Sequence, residues 1–227
     1  MQPYFLPYIG YWQMMQAVDE FVIYDDVQFT RGWINRNRML WNGDADMFTL
    51  PLRKGSNRAN IDERYLTDAW ENANRSLTER FSHAYSRAPH FSRVMALVDD
   101  IFGSGHTNLA DFLCFSLEKT RDYLGIETRL SRSSQIEHQE GLRAAQRIQA
   151  IARARGADIY VNAPGGRELY DIDDFKSRGI ELKFIQTGDI TYPQFENTFV
   201  PSLSILDVMM FNDPEEIRDL LGRYTLD

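Results

Sequence analysis

The sequence predicts an α/β protein with a mostly parallel, Rossmann-like sheet, a β-hairpin insertion and a layer of helices from the middle of the chain. Three observations predict this fold class. Residues 1–24 follow the order strand, glycine turn, helix, strand, which is how a right-handed β-α-β unit begins. An Asn-Gly pair at residues 42 and 43 lies between two strand-like runs. Strands and helices then alternate over residues 126–186, which is typical of a parallel sheet.

Length and composition predict one domain over residues 1–227. The chain has 227 residues, of which 43% are hydrophobic, so it is long enough to bury a sizeable core. Within that domain we expect residues 68–125 to form a helical subdomain or cap, because three helical patterns follow one another there.

The N-terminal elements follow from the apolar pattern and from the residues that interrupt it. Residues 1–5 are predicted to end a buried strand, and Pro7 and Gly10 then turn the chain. Helical spacing predicts a helix over residues 9–18, and residues 21–24 are rich in strand-forming side chains. The hairpin strands are predicted at residues 34–41 and 47–52, a loop at 53–60 and a further short strand at 61–66.

The remaining elements alternate between the two periodicities. Helices are predicted over residues 70–85, 91–102 and 108–124, separated by Pro89 and by the glycines at 103 and 105. Strands are predicted at 126–132, 159–162 and 181–186, with helices at 141–155 and 171–177. Asp213 and Pro214 begin a last helix that is predicted to reach about residue 224.

The charge distribution argues against a protein that binds long polyanions. The net charge is −8 and the isoelectric point is about 5.1. Residues 31–58 are an exception with a local charge of +4, because Arg31, Arg36, Arg38, Arg53, Lys54 and Arg58 face only two acids there. A small phosphorylated ligand and an exposed hairpin with solvated charges both explain this basic island.

The cysteine content, the histidine spacing and the hydropathy indicate the cell compartment and limit the possible metal and thiol chemistry. A single cysteine, Cys114, favours a reducing compartment, and no apolar run approaches the roughly 18 residues of a membrane span. We therefore expect a cytoplasmic protein with no membrane segment. Cys114 is flanked by apolar residues and is expected to pack rather than to react. The four histidines, at 83, 90, 106 and 138, lack zinc-ligand spacing, so no metal site is predicted from them.

Two acids are the candidates for catalysis. Asp25 and Asp26 follow an apolar strand, and ligands of open α/β sheets bind beyond the carboxyl ends of strands. Either acid could hold Mg²⁺, orient a ribose or act as base toward a sugar amine. Only one is expected to face the site, because neighbours on a strand point to opposite faces. An ordinary acidic strand end is the alternative.

Polar and aromatic side chains continue the run after the two acids. Trp33, Asn35 and Asn37 share one face if this segment is a strand, and with Gln28 and Arg31 they suit a sugar or base stacked on an aromatic ring.

Two later segments could join the same site. Asn162 with Gly165-Gly166 follows a strand, where backbone N–H groups could approach a phosphate, although a simple turn is the alternative. A polar-aromatic loop that could close over a ligand contains Tyr192, Gln194, Phe195 and Asn197.

Several of these stretches resemble the WbqC-like family. They are MQPYFLPYIGYW at residues 1–12, FVIYDDVQF at 21–29, RGWINRNR at 31–38, YVN at 160–162 with Gly165-Gly166, YPQF at 192–195 and LSILD at 203–207. The resemblance covers nearly the whole chain. Members of that family occur in bacterial gene sets for O-antigen and other surface polysaccharides, beside amino-sugar enzymes. The resemblance therefore implies an enzyme that transfers an aminoacyl or acyl group to a nucleotide-linked amino sugar.

The same N-terminal stretch has a fainter resemblance to the His-x-Gly-His region of nucleotidylyltransferases. In that superfamily the histidines bind nucleotide phosphates at a helix N-terminus, and here Tyr8 and Tyr11 stand at the histidine positions. Tyrosine is not cationic at neutral pH, so arginines such as Arg31, Arg36 and Arg38 would supply the charge. The alternative is that Pro7 and Gly10 only shape a turn and that the aromatic side chains belong to the core.

The resulting hypothesis is a cytoplasmic transferase of surface-polysaccharide biosynthesis that binds a nucleotide or nucleotide-sugar, with a nucleotide and Mg²⁺ as candidate cofactors. Nucleotidyl or glycosyl transfer on a sugar phosphate, and a non-catalytic nucleotide-sugar-binding module, are the alternatives. The acyl donor stays open, aminoacyl-tRNA included, and so does a homo-oligomer. The catalytic candidates are Asp25 and Asp26, and the binding candidates are Gln2, Tyr8, Gly10, Tyr11, Gln28, Arg31, Trp33, Asn35, Arg36, Asn37, Asn162, Gly165, Gly166, Tyr192 and Gln194.

Overall fold

The computed structural model describes residues 1–56, 58–137, 141–142, 144–196 and 198–227. The helices are α1 (Ile9–Gln16), α2 (Trp70–Tyr85), α3 (Phe91–Phe102), α4 (Leu109–Leu124), α5 (Ala144–Ala154), α6 (Ile172–Ser177), α7 (Ile205–Phe211) and α8 (Pro214–Leu221). The strands are β1 (Glu20–Ile23), β2 (Arg36–Trp41), β3 (Asp44–Thr49), β4 (Arg129–Arg132), β5 (Ile159–Asn162), β6 (Glu181–Thr187) and β7 (Tyr224–Leu226). Short 3₁₀ turns lie at Ile61–Glu63, Ser133–Gln135 and Pro164–Gly166.

The strands confirm a mixed α/β fold, but the described strands pair into three small sheets rather than one continuous sheet. Strand β1 pairs in parallel with β4, and β5 pairs in parallel with β6, which also takes the antiparallel strand β7. The partner of β4 is β1, more than 100 residues earlier, rather than the next described strand β5, and pairing over that distance leaves no local signal in the sequence.

The predicted hairpin is confirmed, and its turn has the expected geometry. Asn42 and Gly43 both have positive φ, at 51° and 86°, as a type I′ turn requires. Pairing runs from Arg36 opposite Thr49 to Trp41 opposite Asp44, so the second strand begins three residues before the predicted start at residue 47. The helices predicted over residues 70–85 and 91–102 have those bounds.

Other predicted elements are corrected by the structure. Residues 31–35 form turns rather than a strand, so the predicted alternation of Trp33, Asn35 and Asn37 on one strand face is wrong. Residues 61–66 were predicted as a strand, but Asn60 and Glu63 cap a 3₁₀ turn there. Helix α7 gave no amphipathic signal because it is buried on nearly every side, and β7 replaces the predicted end of the last helix.

The larger core joins the N-terminal segment to the hairpin and the helical layer. Phe5 is fully buried, and its ring lies 5.8–6.0 Å from those of Phe48 on β3, Phe102 on α3 and Phe112 on α4. A smaller core, which includes Phe175 and Phe184, lies between α5, α6 and β6. The segment before α1 is therefore fixed by packing on both the hairpin and the helices.

Gly10 allows α1 to approach the end of β6. A Cβ atom at this position would lie 2.8 Å from Oγ1 of Thr187 and 3.0 Å from the Tyr8 ring. Because real Cβ atoms do not come that close to other heavy atoms, only glycine fits without a shift. The start of α1 thus lies beside the carboxyl end of β6.

Candidate functional site

Asp25 lies at the carboxyl end of β1 and is buried against the end of β4. Its side chain is 0% exposed and accepts hydrogen bonds from Arg132 Nε (2.6 Å), Ser134 Oγ (2.8 Å) and the Ser134 backbone N–H (3.1 Å), and its own backbone N–H donates to Ser133 Oγ (3.2 Å). Burial by itself raises the pKa of Asp25, but the hydrogen bonds from Arg132 and Ser134 outweigh it and the net direction is down. Asp25 is therefore ionised, and its contact with Arg132 connects the end of β1 to the end of β4.

Asp26 points to the other side and keeps contact with solvent. Its side chain is 22% exposed, accepts a 2.6 Å hydrogen bond from Ser133 Oγ and pairs with Arg147. The Arg147 guanidinium also lies over the Tyr24 ring, 4.7 Å from its centroid. The two neighbouring acids therefore differ in burial, with Asp25 fully buried and Asp26 partly exposed.

A third acid, Asp62, joins this cluster across an antiparallel bridge. Gln28 is opposite Asn60, and the Ile61 N–H donates to the Val27 carbonyl, which places Asp62 close to Asp26. Burial, and then the negative charges of Asp25 and Asp26, raise the pKa of Asp62. Its Oδ1 is buried and has no hydrogen-bond partner among the described residues. The pKa values of Asp25 and Asp62 are thus pushed apart, an arrangement that often marks proton-transfer sites.

An open cavity of about 530 Å³ lies just past the end of β1. It is lined by Gln2 and residues 27–31, so the predicted binding residues Gln2, Gln28 and Arg31 surround it. The Phe29 ring forms part of its wall and stacks under the Arg64 guanidinium, at 4.9 Å.

Basic residues that follow β3 lie near the chain segment that lines this cavity. Arg64 donates to the carbonyl oxygens of Arg53 and Ser56. The Phe29 N–H donates to the Ala59 carbonyl, one residue along from the bridge between Gln28 and Asn60, and Arg58 precedes Ala59. Arg31 and Arg58 are exposed, and neither makes an ion pair with any residue that the structure describes.

A second cavity, of about 200 Å³, lies between the start of α1 and the segment after β6. Its lining includes Tyr8, Asp189, Tyr192 and Phe199. Behind Tyr192, the fully buried Asp207 of α7 accepts hydrogen bonds from Tyr192 Oη (2.8 Å), Tyr85 Oη (2.8 Å) and Gln194 Nε2 (2.6 Å). Burial raises the pKa of Asp207, although these three donors oppose the shift.

Comparison with known proteins identifies the family. The model of the WbqC-like protein family matches residues 2–219. The chain belongs to the WbqC-like family. It is also 34% identical over 227 residues to a protein of Mycobacterium tuberculosis (strain ATCC 25618 / H37Rv) named "Uncharacterized protein Rv1507c", covering 97% of this chain and 95% of that protein. No solved structure matches the chain.

Several polar residues of the WbqC-like motif serve the fold. Asn35 Nδ2 donates to the Leu50 carbonyl (2.7 Å), and Asn37 Nδ2 donates to the Leu6 carbonyl (2.6 Å). Tyr11 is 6% exposed and packs on Tyr4 and Phe21. These contacts position the segment before α1. Some residues of the motif therefore have a structural role and need not contact a ligand.

The other predicted residues are spread over both cavities and the hairpin. Trp33 packs edge-on against Tyr4, and Arg36 lies on β2 beside Met47. Gly166 packs so closely on the Asn162 side chain that a Cβ would meet its Nδ2 at 2.2 Å, whereas Gly165 has open space around it. Tyr8 and Tyr192 line the second cavity, and Gln194 lies beside Asp207. Asn197 and His138 lie outside the described residues.

The sequence reading missed Asp62, Arg132, Ser133, Arg147 and Asp207. The first four come from separate elements, and only folding brings them to the Asp25–Asp26 pair. Asp207 had a signal, since it lies inside the matched run LSILD, but nothing local marks it as buried.

The metal-ligating side chains, the cysteine and the helix lengths can be compared with the predictions for the part of the chain that the structure describes. In the ranges that the structure describes, no group of three or more His, Cys, Asp or Glu side chains is placed to hold a metal ion. Burial raises the pKa of Cys114 to about 12, so this thiol is protonated at neutral pH. Among the helices of the described part of the chain, none is both long enough and apolar enough to cross a bilayer.

Proposed function

We propose that this WbqC-like protein is a cytoplasmic transferase of surface-polysaccharide biosynthesis that moves an aminoacyl or acyl group onto a nucleotide-linked amino sugar. The observation that carries the proposal is the cavity past β1, which is lined by Gln2, Gln28 and Arg31 and begins at Val27, directly after Asp26 of the Asp26–Asp62 pair. Amide groups suit sugar hydroxyls, and arginines suit phosphates. The gene setting of the family supplies the choice of an amino sugar as acceptor.

Arg31 and Arg58 would hold the diphosphate of the nucleotide-sugar. Both are exposed at the same end of the bridge between residues 28 and 60, and guanidinium groups bind phosphate oxygens in pairs. The amide side chains of Gln2 and Gln28 would then lie along the sugar, which places its amine toward the acids.

The acids would accept the proton that the acceptor amine releases. In acyl transfer the neutral amine nitrogen attacks the acyl carbon, the leaving group departs and the nitrogen releases a proton. Asp62 suits this task because its pKa is raised and its Oδ1 has no hydrogen-bond partner in the described residues. Asp26 would receive the amine in its protonated form, and Asp25 would hold Ser133 in place. The pairing of Asp25 with Arg132 and of Asp26 with Arg147 makes these carboxylates poor Mg²⁺ ligands.

Calorimetric titration with UDP- and dTDP-linked amino sugars tests the binding step. We expect Arg31→Gln and Arg58→Gln each to weaken binding about tenfold, because each removes one charge-assisted phosphate contact. Arg75→Gln on α2, an exposed arginine whose recorded partner is Asn72, is the matched control and should bind as the wild type does. Absence of binding to any nucleotide-sugar would contradict the proposal.

Mass spectrometry of the sugar product tests the chemistry. Asp62→Asn and Asp26→Asn should retain nucleotide-sugar affinity and lose most turnover with an activated acyl donor. A product that carries a new phosphodiester or glycosidic bond instead of an amide would favour nucleotidyl or glycosyl transfer on a sugar phosphate. Binding with no product under any donor would favour a non-catalytic binding module.

We further propose that the parallel pairs β1–β4 and β5–β6 are parts of one Rossmann-like arrangement within a single domain over residues 1–227, capped by helices of residues 68–125. Two contacts support this. Met1 exchanges hydrogen bonds with Val22 and Tyr24 in the parallel pattern, beside β1. The helix that follows, α1, packs on the end of β6 through Gly10. The carboxyl ends of both pairs would then share one edge, where both cavities open.

A further inference from the structure

The cavity at the start of α1 is too small for a whole nucleotide-sugar. Its volume of about 200 Å³ lies below the range of roughly 300–1,000 Å³ that is usual for sites of drug-sized ligands. Eight of the eleven described residues that line it are apolar or aromatic. They are Tyr8, Tyr192 and Phe199, together with Ile9, Ile190, Pro201, Leu203 and Val208. Gly188, Asp189 and Ser202 complete the lining, so the cavity suits a compact ligand that has both an apolar part and a polar group.

The polar groups around this cavity include two acceptors, at Tyr192 and Asp189, and the hydroxyls of Tyr8 and Ser202, which can both donate and accept. The Tyr192 hydroxyl proton is donated to Asp207, at 2.8 Å, so the oxygen of Tyr192 is left to accept. The Gly188 N–H is already bound to the Arg223 carbonyl, at 2.7 Å. Asp189 is exposed in the lining and makes no ion pair with the residues that the structure describes. A ligand that brings hydrogen-bond donors would match these groups.

The local charge also favours a cation. Asp189 lines the cavity and Asp207 lies behind Tyr192, whereas no lysine, arginine or histidine is among the described residues that line it. Arg38, which is outside the lining, donates to the Ser202 carbonyl at 2.9 Å. Aromatic rings around a cation add attraction through their π-faces. A free carboxylate, in contrast, would be repelled by Asp189.

We propose that this cavity binds the ammonium group and apolar side chain of a small amino compound whose carboxyl group is not free, namely an aminoacyl group or an amino acid amide. This inference rests on the proposed function for its biological meaning: it selects an aminoacyl group, rather than a simple acyl group, as the one that is transferred. The carboxyl carbon would then be an ester, a thioester or an anhydride, which removes the negative charge that Asp189 disfavours.

Three small probes of nearly equal size separate the contribution of the ammonium group to binding from that of the carboxylate. They are L-leucinamide, which has the ammonium and no carboxylate, L-leucine, which has both, and 4-methylpentanamide, which has neither. In calorimetric or ligand-observed NMR titrations, L-leucinamide should bind at least about tenfold more tightly than either of the others. Equal affinities for L-leucinamide and 4-methylpentanamide, or no binding of L-leucinamide at about 10 mM, would overturn the inference.

A pair of variants locates the binding. Asp189→Asn should weaken L-leucinamide binding about tenfold, because it removes the exposed charge from the lining. Asp158→Asn is the matched control, since Asp158 is an exposed acid just before the amino end of β5, and it should leave that affinity unchanged. If both variants bind as the wild type does, the ammonium is not held in this cavity.

The outcome can be separated from that of the proposed function. The same samples are titrated with the nucleotide-sugars, whose binding is assigned to Arg31 and Arg58 rather than to this cavity. Nucleotide-sugar binding without L-leucinamide binding would overturn this inference and leave the proposed function standing. L-leucinamide binding without nucleotide-sugar binding would do the reverse.

Discussion

Tyr85→Phe tests the buried network around Asp207. The Tyr85 hydroxyl donates to Asp207 Oδ1 and accepts from the Leu40 backbone N–H, both at 2.8 Å. One oxygen atom thus links α2, the hairpin and α7, across 122 residues of sequence between Tyr85 and Asp207. Removing it changes little volume, so the expected loss comes from the two hydrogen bonds rather than from a cavity.

The magnitude follows from the burial of both partners. Leu40 is 2% exposed, and its N–H would be left without a partner, which costs about 1–3 kcal/mol. The hydrogen bond to the carboxylate contributes about 1.5–3 kcal/mol, although Tyr192 and Gln194 still donate to Asp207 in the variant. We expect the free energy of unfolding to fall by about 3 kcal/mol in total.

Urea denaturation followed by tryptophan fluorescence measures this loss. With a slope of about 2–3 kcal/mol/M, the midpoint should fall by about 1 M or slightly more. Tyr123→Phe on α4 is the control, because Tyr123 is half-buried and its hydroxyl makes no hydrogen bond with the described residues, so its midpoint should change little. A loss below about 1 kcal/mol for Tyr85→Phe would refute the view that this network stabilises the packing of α2, the hairpin and α7.

Three further predictions concern the packing and the acids. Gly10→Ala should lower the free energy of unfolding by about 1–3 kcal/mol through overpacking, whereas Gly165→Ala, with open space at its Cβ position, should change it by less than about 0.5 kcal/mol. Arg132→Ala should cost about 3–5 kcal/mol because it leaves the buried Asp25 charge unpaired, whereas Arg178→Ala in an exposed pair should cost less than about 1 kcal/mol. Asp25→Asn should reduce stability at neutral pH, and its difference from the wild type should shrink as the pH falls below about 4.

The sign of the last prediction follows from the lowered pKa of folded Asp25. The stabilisation is complete above the unfolded value of about 3.9 and is lost as the pH falls through the lower folded value. Urea midpoints measured between about pH 3 and pH 7 test it. A constant difference over that range would mean that Asp25 is not held as an ion.

Thermal melts compare the glycine and arginine variants with their controls. Equal losses of stability for Gly10→Ala and Gly165→Ala would contradict the packing argument, and equal losses for Arg132→Ala and Arg178→Ala would contradict the charge argument.

Part of the candidate site could be predicted from the sequence. Asp25 and Asp26 were singled out because acids at the end of an apolar strand lie at a sheet edge, and in the structure they follow β1 and directly precede Val27, the first residue of the cavity-lining run 27–31. The prediction failed where it extended the strand periodicity through residues 31–35. Gly32, with φ of 111°, lies in turns there, and Asn35 and Asn37 bind backbone carbonyl groups.

What the sequence by itself determined are the features fixed within a few residues. The positive φ angles of Asn42 and Gly43 define the hairpin, and apolar spacing defines α2 and α3, because turn chemistry and helical periodicity act locally.

Tertiary structure alone decided which acids meet. Asp62 reaches the Asp25–Asp26 pair through one antiparallel bridge, and Asp207 is buried under Tyr85 and Tyr192. Their pKa values are raised chiefly by burial, which depends on the packing of elements distant in sequence and cannot be read from neighbouring residues.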